Sequence, residues 1–312
     1  MTAPSPPPIA FGFETTAAEV LAGVDLGGRR AVVTGANSGI GAATARALAE
    51  AGAEVTVAVR DVAAGVAATA AFGAAAERCR IAPLDLVDLD SVAAFADSWA
   101  GPLDALVLNA GIMLPDLHRA PDSGWELQFA VNHLGHFALA TGLHPALAEA
   151  GGRVVAVSSG AHLAADVDFD DIHFERRPYE TLAGYGQSKT ANVLFVVAAA
   201  ERWRADGIAA NAARPGTVAS GLMRHTGLEQ AIEFAGGKPG DPRAAWKTPE
   251  AGAATSVLLA ASPLVEGVSG AYFDDCRPAP VVEPGTGPGV ASYAVDAEAA
   301  ARLWELSARL VT

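Results

Sequence analysis

Only two cysteines, Cys79 and Cys276, occur in 312 residues. So few thiols exclude a disulfide framework and the repeated ligand spacing of a structural zinc site, and they fit a reducing, cytoplasmic setting. Lysine is nearly as scarce, with three residues: Lys189, Lys238 and Lys247. Lys and Arg total 21 against 35 acidic residues, giving a net charge of −14. No stretch gathers cations into a phosphate-binding face, which argues against a nucleic-acid partner. Long apolar runs are missing too. The longest, residues 193–200, falls far short of the ~20 residues that cross a bilayer, so no membrane span is expected. The opening MTAPSPPP has neither a basic start nor an apolar core; it reads as a disordered tail over residues 1–10 and not as a secretory signal. No internal repeat is visible.

What is abundant is apolar sequence, 51% of the chain, enough for a large core. Short strand-like segments near Ala31, Val55, Arg80, Leu106, Val154, Ala209 and Ala271 alternate with helical stretches near Ala42, Ala64, Ala93, Glu126, Val193, Ala253 and Leu303. That alternation predicts a single α/β domain over residues 28–312, a doubly wound parallel sheet of about seven strands with helices on both faces. Thr248-Pro249-Glu250 resembles a helix start. Residues 11–27 are expected to form an arm or helix resting on the domain.

The first expected strand runs into TGANSGIG, which places Gly35, Asn37, Ser38, Gly39, Ile40 and Gly41 between a strand and an Ala-rich helix. Glycines there let backbone approach a pyrophosphate, whose charge meets the amides and positive dipole of the helix start. Gly41 is expected to serve close helix-to-strand packing. This is a Rossmann-type dinucleotide turn in its required context. After the second expected strand, where an NAD-selective site wants a carboxylate, the chain has Val59 and then Arg60. A guanidinium can bind a ribose 2′-phosphate bidentately, so NADP(H) is expected over NAD(H). Asp61 reads as the cap of the next helix.

In YGQSK, Tyr185 and Lys189 stand four positions apart, one turn along a helix face. Half ionisation of a phenol at pH 7 needs about 4 kcal/mol. An ammonium ~4 Å away at an effective dielectric of ~20 supplies an amount of that order. The expectation is that Lys189 acidifies Tyr185, which then works as a general acid and base. His133 and His136 share the spacing of one helical turn but have no carboxylate or thiol neighbour in sequence, so packing is favoured over zinc. A hydrolase built on Ser158, Ser159 and His162 lacks its G-x-S-x-G elbow.

Taken together, TGANSGIG, LDL at 84–86, NAG at 109–111, VNHLGHF from Val131, VSS at 157–159, YGQSK and RPG at 214–216 resemble, in order and spacing, the short-chain dehydrogenase/reductase family. The resemblance spans roughly residues 28–275 and is strongest to the retinol-dehydrogenase-like branch, which includes the WW-domain-containing oxidoreductase. It implies that Asn132, Ser159, Tyr185 and Lys189 are the catalytic residues. Ser159 would hold the substrate oxygen, Tyr185 would pass it a proton, Lys189 would also bind the nicotinamide ribose, and Asn132 would position a relay water. It further implies cofactor contacts at Asp85 and Leu86 (adenine), at Asn109, Ala110 and Gly111 (sheet and adenine ribose), at Ile40 (pyrophosphate), and at Pro215, Gly216, Val218 and Ser220. At Ser220 the family usually has threonine. Family members commonly pair through the tyrosine-bearing helix, so a homodimer or homotetramer is implied.

Ser159 and Tyr185 lie 26 positions apart, more than in compact members, so an insertion over 161–182 must loop out. It shapes either substrate access or a packed surface loop. Residues 221–247, with Leu222, Met223, His225, Phe234 and Trp246, stand where the family carries a substrate lid. The resulting expectation is an NADP(H)-dependent oxidoreductase acting on a lipophilic carbonyl or alcohol. Two alternatives stay open: a nucleotide-binding regulator without turnover, and a reductase of different chemistry resembling protochlorophyllide reductase.

Overall fold

A computed structural model describes residues 9–218, 246–284 and 286–312. Eight strands form one sheet: β1 (Arg30–Thr34), β2 (Glu54–Val59), β3 (Cys79–Pro83), β4 (Ala105–Leu108), β5 (Arg153–Val157), β6 (Ala209–Arg214), β7 (Tyr272–Asp274) and β8 (Arg277–Pro278). Their order is β3-β2-β1-β4-β5-β6-β7-β8. Every pairing through β7 is parallel, and only β8 returns antiparallel. Seven strands fall where the sequence places them. The eighth is a two-residue hairpin partner, too short to show a pattern.

The central strands are apolar runs because both faces are covered. Val33, Val55 and Val57 point into a core shared with α1 (Ala17–Val20), α2 (Gly39–Glu50) and the helix Pro249–Ala261. Val32, Leu106, Leu108 and Val154 point into the opposite core. That second core lies under α4 (Leu89–Asp97), which follows α3 (Val62–Ala70), and under α6 (Gly135–Gly142), α7 (His144–Ala150) and α8 (Thr181–Arg202), while α5 (Leu127–Phe129) sends Phe129 into a third cluster against α8. We number Pro249–Ala261 as α9 and Ala297–Leu310 as α10. Thr248 caps α9 through Ala251 N, with Pro249 in its first turn, as the sequence predicts.

In the N-terminal arm, α1 is held by a capping box in which Thr16 and Glu19 satisfy each other's backbone. Val20, Leu21 and Leu26 are buried in the first core, and Ile9 and Phe11 also pack against it. Ile9, inside the stretch read as a tail, is therefore packed; residues 1–8 lie outside the described residues.

Residues 193–200 read from sequence as core or subunit interface, and the fold makes them core. Leu194 and Ala198 of α8 pack with Ala300 and Leu303 of α10, while Val193, Phe195 and Val196 face the sheet-side core. Pairing of subunits through this stretch would have to displace α10.

The insertion is tied down as a packed loop. Asp171 accepts from the amides of Glu175, Arg176 and Arg177, and Arg177 lies 3.9 Å from the centroid of the Phe174 ring. Tyr179 reaches Gln128, and through a 3.4 Å hydrogen bond the buried carboxylate of Glu126.

Candidate active site

Three loops at the carboxyl ends of β1, β4 and β5 face the start of α8, the place where open α/β sheets hold ligands. At β1 the chain turns through Gly35 at φ +66, where a Cβ would lie 2.9 Å from Ala110. Gly41 packs α2 onto the strand so closely that a Cβ would meet Asn109 Nδ2 at 2.4 Å, which is the role the sequence predicts. Ser38 is the N-cap of α2, yet its side chain makes no capping hydrogen bond. Its counterparts Asp61, Asp88, Thr248 and Asp296 do cap their helices. The first amides of α2 are thus left for an anion, beside glycines that admit it. This fits a dinucleotide pyrophosphate at Asn37, Ser38, Gly39 and Ile40.

Asn109 and Ala110 are fixed by Thr34, whose hydroxyl accepts from both amides at 2.9 and 3.0 Å. Asn109 Nδ2 also donates to Thr34 O. The same hydroxyl lies 2.8 Å from His136 Nε2, and His136 Nδ1 lies 3.1 Å from the Asn132 carbonyl. A carbonyl only accepts, so Nδ1 carries the proton and Thr34 donates to Nε2. Asp85 accepts from Val87 N at 3.1 Å. Ile40, Pro215 and Val218 meet over Gly252 of α9, where a Cβ would lie 2.5 Å from Val218 Cγ2. Arg60 is exposed at the end of β2, and Asp61 accepts from Ala64 N at 3.0 Å as the cap of α3. Ser220 and lid residues 221–245 lie outside the described residues. Of the lid, Trp246 is half exposed and Lys247 is buried in an ion pair with Asp275.

Asn132 sits in a π-turn, Ala130–Leu134, between α5 and α6. Its side chain accepts from Ile112 N at 2.8 Å and donates to Ile112 O and to Ser188 Oγ, each at 3.0 Å. Such bulges recur at functional sites because the extra residue re-aims a side chain. Gly111 closes the group: a Cβ there would lie 3.3 Å from Asn132 Oδ1 and 3.4 Å from Lys189 Nζ. Of the two serines, Ser158 is buried and donates to Lys189 O at 2.9 Å. Ser159 is half-buried, accepts from Ala161 N at 3.2 Å, and interacts with the Tyr185 phenol. Their surroundings favour Ser159 as the serine facing a ligand.

Lys189 Nζ lies 5.5 Å from the centroid of the Tyr185 ring and donates to Val157 O at 3.0 Å. The expectation that the lysine acidifies the phenol is corrected here. Burial pushes Tyr185 up to about 12, with Ser159 drawing it partly back. Burial also pulls Lys189 down to about 8. The sequence argument counted the attraction of the pair and not the cost of removing both charged forms from water. Met113, Ala161 and the half-buried Leu182 pack around Tyr185 as an apolar wall. Motif reading missed Thr34, His136, Gly252 and Met113. Thr34 and His136 lie inside motifs already noticed, but which atoms they join depends on chain separations no motif shows.

An open parallel sheet, an uncapped helix start behind a glycine turn, and a tyrosine–lysine pair beside a serine define an NAD(P)-dependent oxidoreductase of Rossmann type. The chain belongs to the short chain dehydrogenase family, whose pattern it matches over residues 29–231. It is 55% identical over 294 residues, covering 91% of this chain and 98% of the relative, to a "Probable oxidoreductase" of Streptomyces lividans. It is 39% identical over 296 residues to retinol dehydrogenase 13 of Mus musculus, covering 91% of this chain and 84% of that one. The RhlG/NADP active-site complex of Pseudomonas aeruginosa is similar in structure, with a TM-score of 0.65 and 28% identity over 80% of this chain and 95% of that one. Among the described residues no helix is long and apolar enough to cross a membrane.

Proposed function

We propose that this protein interconverts a lipophilic carbonyl compound and its alcohol by hydride transfer, with NADP(H) as the dinucleotide. The observation that carries this reading is the Tyr185–Lys189 pair on one turn of α8, with Ser159 interacting with the phenol and Asn132 joined to Ser188 between them. When bound, the nicotinamide supplies or accepts the hydride. The protein's own part is to hold and protonate oxygen. Ser159 donates to the substrate oxygen where negative charge develops. Tyr185, neutral at physiological pH, gives that oxygen its proton. Lys189, largely charged at pH 7, stabilises the phenolate left behind and faces the nicotinamide ribose. Asn132 and its carbonyl, fixed by Ile112, Ser188 and His136, hold the path by which the proton is replaced. Asn37, Ser38, Gly39 and Ile40 receive the pyrophosphate; Asp85, Leu86, Asn109, Ala110 and Gly111 border the adenosine; Pro215, Gly216 and Val218 lie on the nicotinamide side.

Arg60 supports NADP(H): it is exposed at the end of β2 while the acid next to it in sequence, Asp61, is engaged as a cap. A lipophilic substrate is supported by the Met113, Ala161 and Leu182 wall around Tyr185, and by the name of the retinol dehydrogenase relative. Tyr185→Phe should lower turnover by about 1,000-fold or more while leaving NADPH affinity within about three-fold; activity near the parent's rejects the assigned role. Arg60→Ala should cut the preference for NADPH over NADH by about ten-fold, or ~1.4 kcal/mol, measured as the ratio of the two dissociation constants. An unchanged ratio removes Arg60 from cofactor choice.

A further inference from the structure

We infer that His162 is a positioning residue that fixes the main chain at Ser159, and that it thereby makes the C-terminal segment part of the active-site scaffold. This rests on the assignment of Ser159 and Tyr185 as the reacting pair. His162 takes no part in the chemistry described above, yet it is 0% exposed and lies one 3-10 turn beyond Ser159. Its Nδ1 is 2.6 Å from the Ser159 carbonyl oxygen. On the other side of the ring, the Ala291 amide donates to Nε2 at 3.2 Å. The Tyr272 hydroxyl, 3.3 Å from Nδ1, can donate or accept, so the two backbone bonds determine the ring's state. Nε2 receives an N–H and so is bare; Nδ1 faces a carbonyl and so bears the proton. A neutral imidazole with its proton on Nδ1 satisfies both, and the reversed tautomer satisfies neither.

The contact matters because Ser159 is held by little else. It leaves β5 extended, at φ −158 and ψ 159, and its hydroxyl accepts from the Ala161 amide and meets the Tyr185 phenol. The direction of Oγ therefore follows the orientation of the peptide that begins at the Ser159 carbonyl. That oxygen also receives the His162 amide at 3.2 Å and a long bond of 3.5 Å from the Tyr272 hydroxyl. The ring of His162 makes the shortest of the three. The backbone of His162 is anchored in turn, its carbonyl accepting from the Tyr293 hydroxyl at 2.6 Å. Residues 290–293, more than a hundred positions downstream, thus brace the catalytic serine across the sheet edge.

Two substitutions separate the halves of this bridge. In His162→Asn the side-chain amide reaches where Nδ1 stood and can still donate to Ser159, while the Ala291 contact is lost. In His162→Gln the amide reaches where Nε2 stood, keeping Ala291 and losing Ser159. With NADPH and either decanal or all-trans-retinal as probe, His162→Gln should lower kcat by about ten-fold or more. The NADPH dissociation constant should not change, and His162→Asn, which keeps the Ser159 bond and loses the Ala291 brace, should fall between the parent and His162→Gln, about three-fold below the parent. A purely structural histidine would lower the melting temperature of both variants and leave kcat per folded molecule alike. Equal kcat in the two, or a lower kcat for Asn than for Gln, overturns the proposal. If the parent turns over neither probe, the hydride-transfer reading is what fails. Crystal structures of the variants then decide the positioning role: Ser159 Oγ displaced in Gln and retained in Asn supports it, and Ser159 unmoved in both refutes it.

Discussion

Tyr185 is fully protonated at neutral pH, because its buried phenol is pushed up to about 12. The acid form, the one a reduction needs, is therefore already present, while the oxidation of an alcohol needs the ionised form. The two directions should consequently part with pH. Between pH 7 and 10, alcohol oxidation at saturating NADP⁺ should rise with a slope approaching one proton up to about pH 8 and level off above it as Lys189 loses its charge, whereas carbonyl reduction should not rise over the same interval. Lys189, drawn down to about 8, loses its charge within that window, so reduction should decline above pH 8. Matching profiles in both directions would remove Tyr185 as the shared acid and base. That the two side chains share one turn of a helix was legible from YGQSK. The direction of the Tyr185 pKa was not, since burial is a property of the surroundings and no spacing of residues reveals it.

At the scale of elements, the glycine turn and α2 together form the proposed anion site. Ser38 leaves the helix start open, and Gly41 lets the helix lie against β4's loop. Gly41→Ala would place a methyl 2.4 Å from Asn109 Nδ2 and 2.6 Å from Gly35 O. Backbone cannot yield as a flexible side chain does, so the helix must shift. A destabilisation of about 1–3 kcal/mol is expected, visible as a lower midpoint in urea with an unchanged slope, and NADPH affinity should fall with it. A variant as stable as the parent would show that α2 can move without cost. Sequence pattern located this element well, because strand, turn and helix are consecutive and each signal is local. The insertion was harder to read. Whether 161–182 would open the site or pack against the body turned on Tyr179 meeting Glu126 and Gln128, some fifty positions away.

For the whole molecule, the buried histidines set a limit in acid. Burial holds His133 and His136 down at about 3 and His162 at about 4. Each binds a proton more weakly when folded than its ordinary value near 6.5. The stability this confers is complete above pH 6.5 and drains away as pH falls through the folded values. His133 and His136 can each contribute on the order of 5 kcal/mol across that range, and His162 on the order of 3 kcal/mol. His133 donates or accepts at Ser307 of α10, so its protonation strikes the contact that covers α8. His133→Gln, which can still reach Ser307, should reduce the fall in unfolding free energy between pH 6 and 4 by up to about 1.4 kcal/mol per pH unit relative to the parent. Parallel curves for parent and variant would show that His133 stays neutral for some other reason.

Sequence alone determined the class of fold, the seven parallel strands, the glycine turn and which side chains are candidates for the chemistry. All of these are written in local periodicity, in glycines and in motifs whose atoms are few bonds apart. Tertiary structure decided the rest: that residues 193–200 serve the chain's own core under α10, that burial raises Tyr185 where a neighbouring lysine suggested the reverse, and that His162 joins Ser159 to Ala291. Each of these depends on distance and desolvation between segments far apart along the chain, which exist only once the sheet has brought them together.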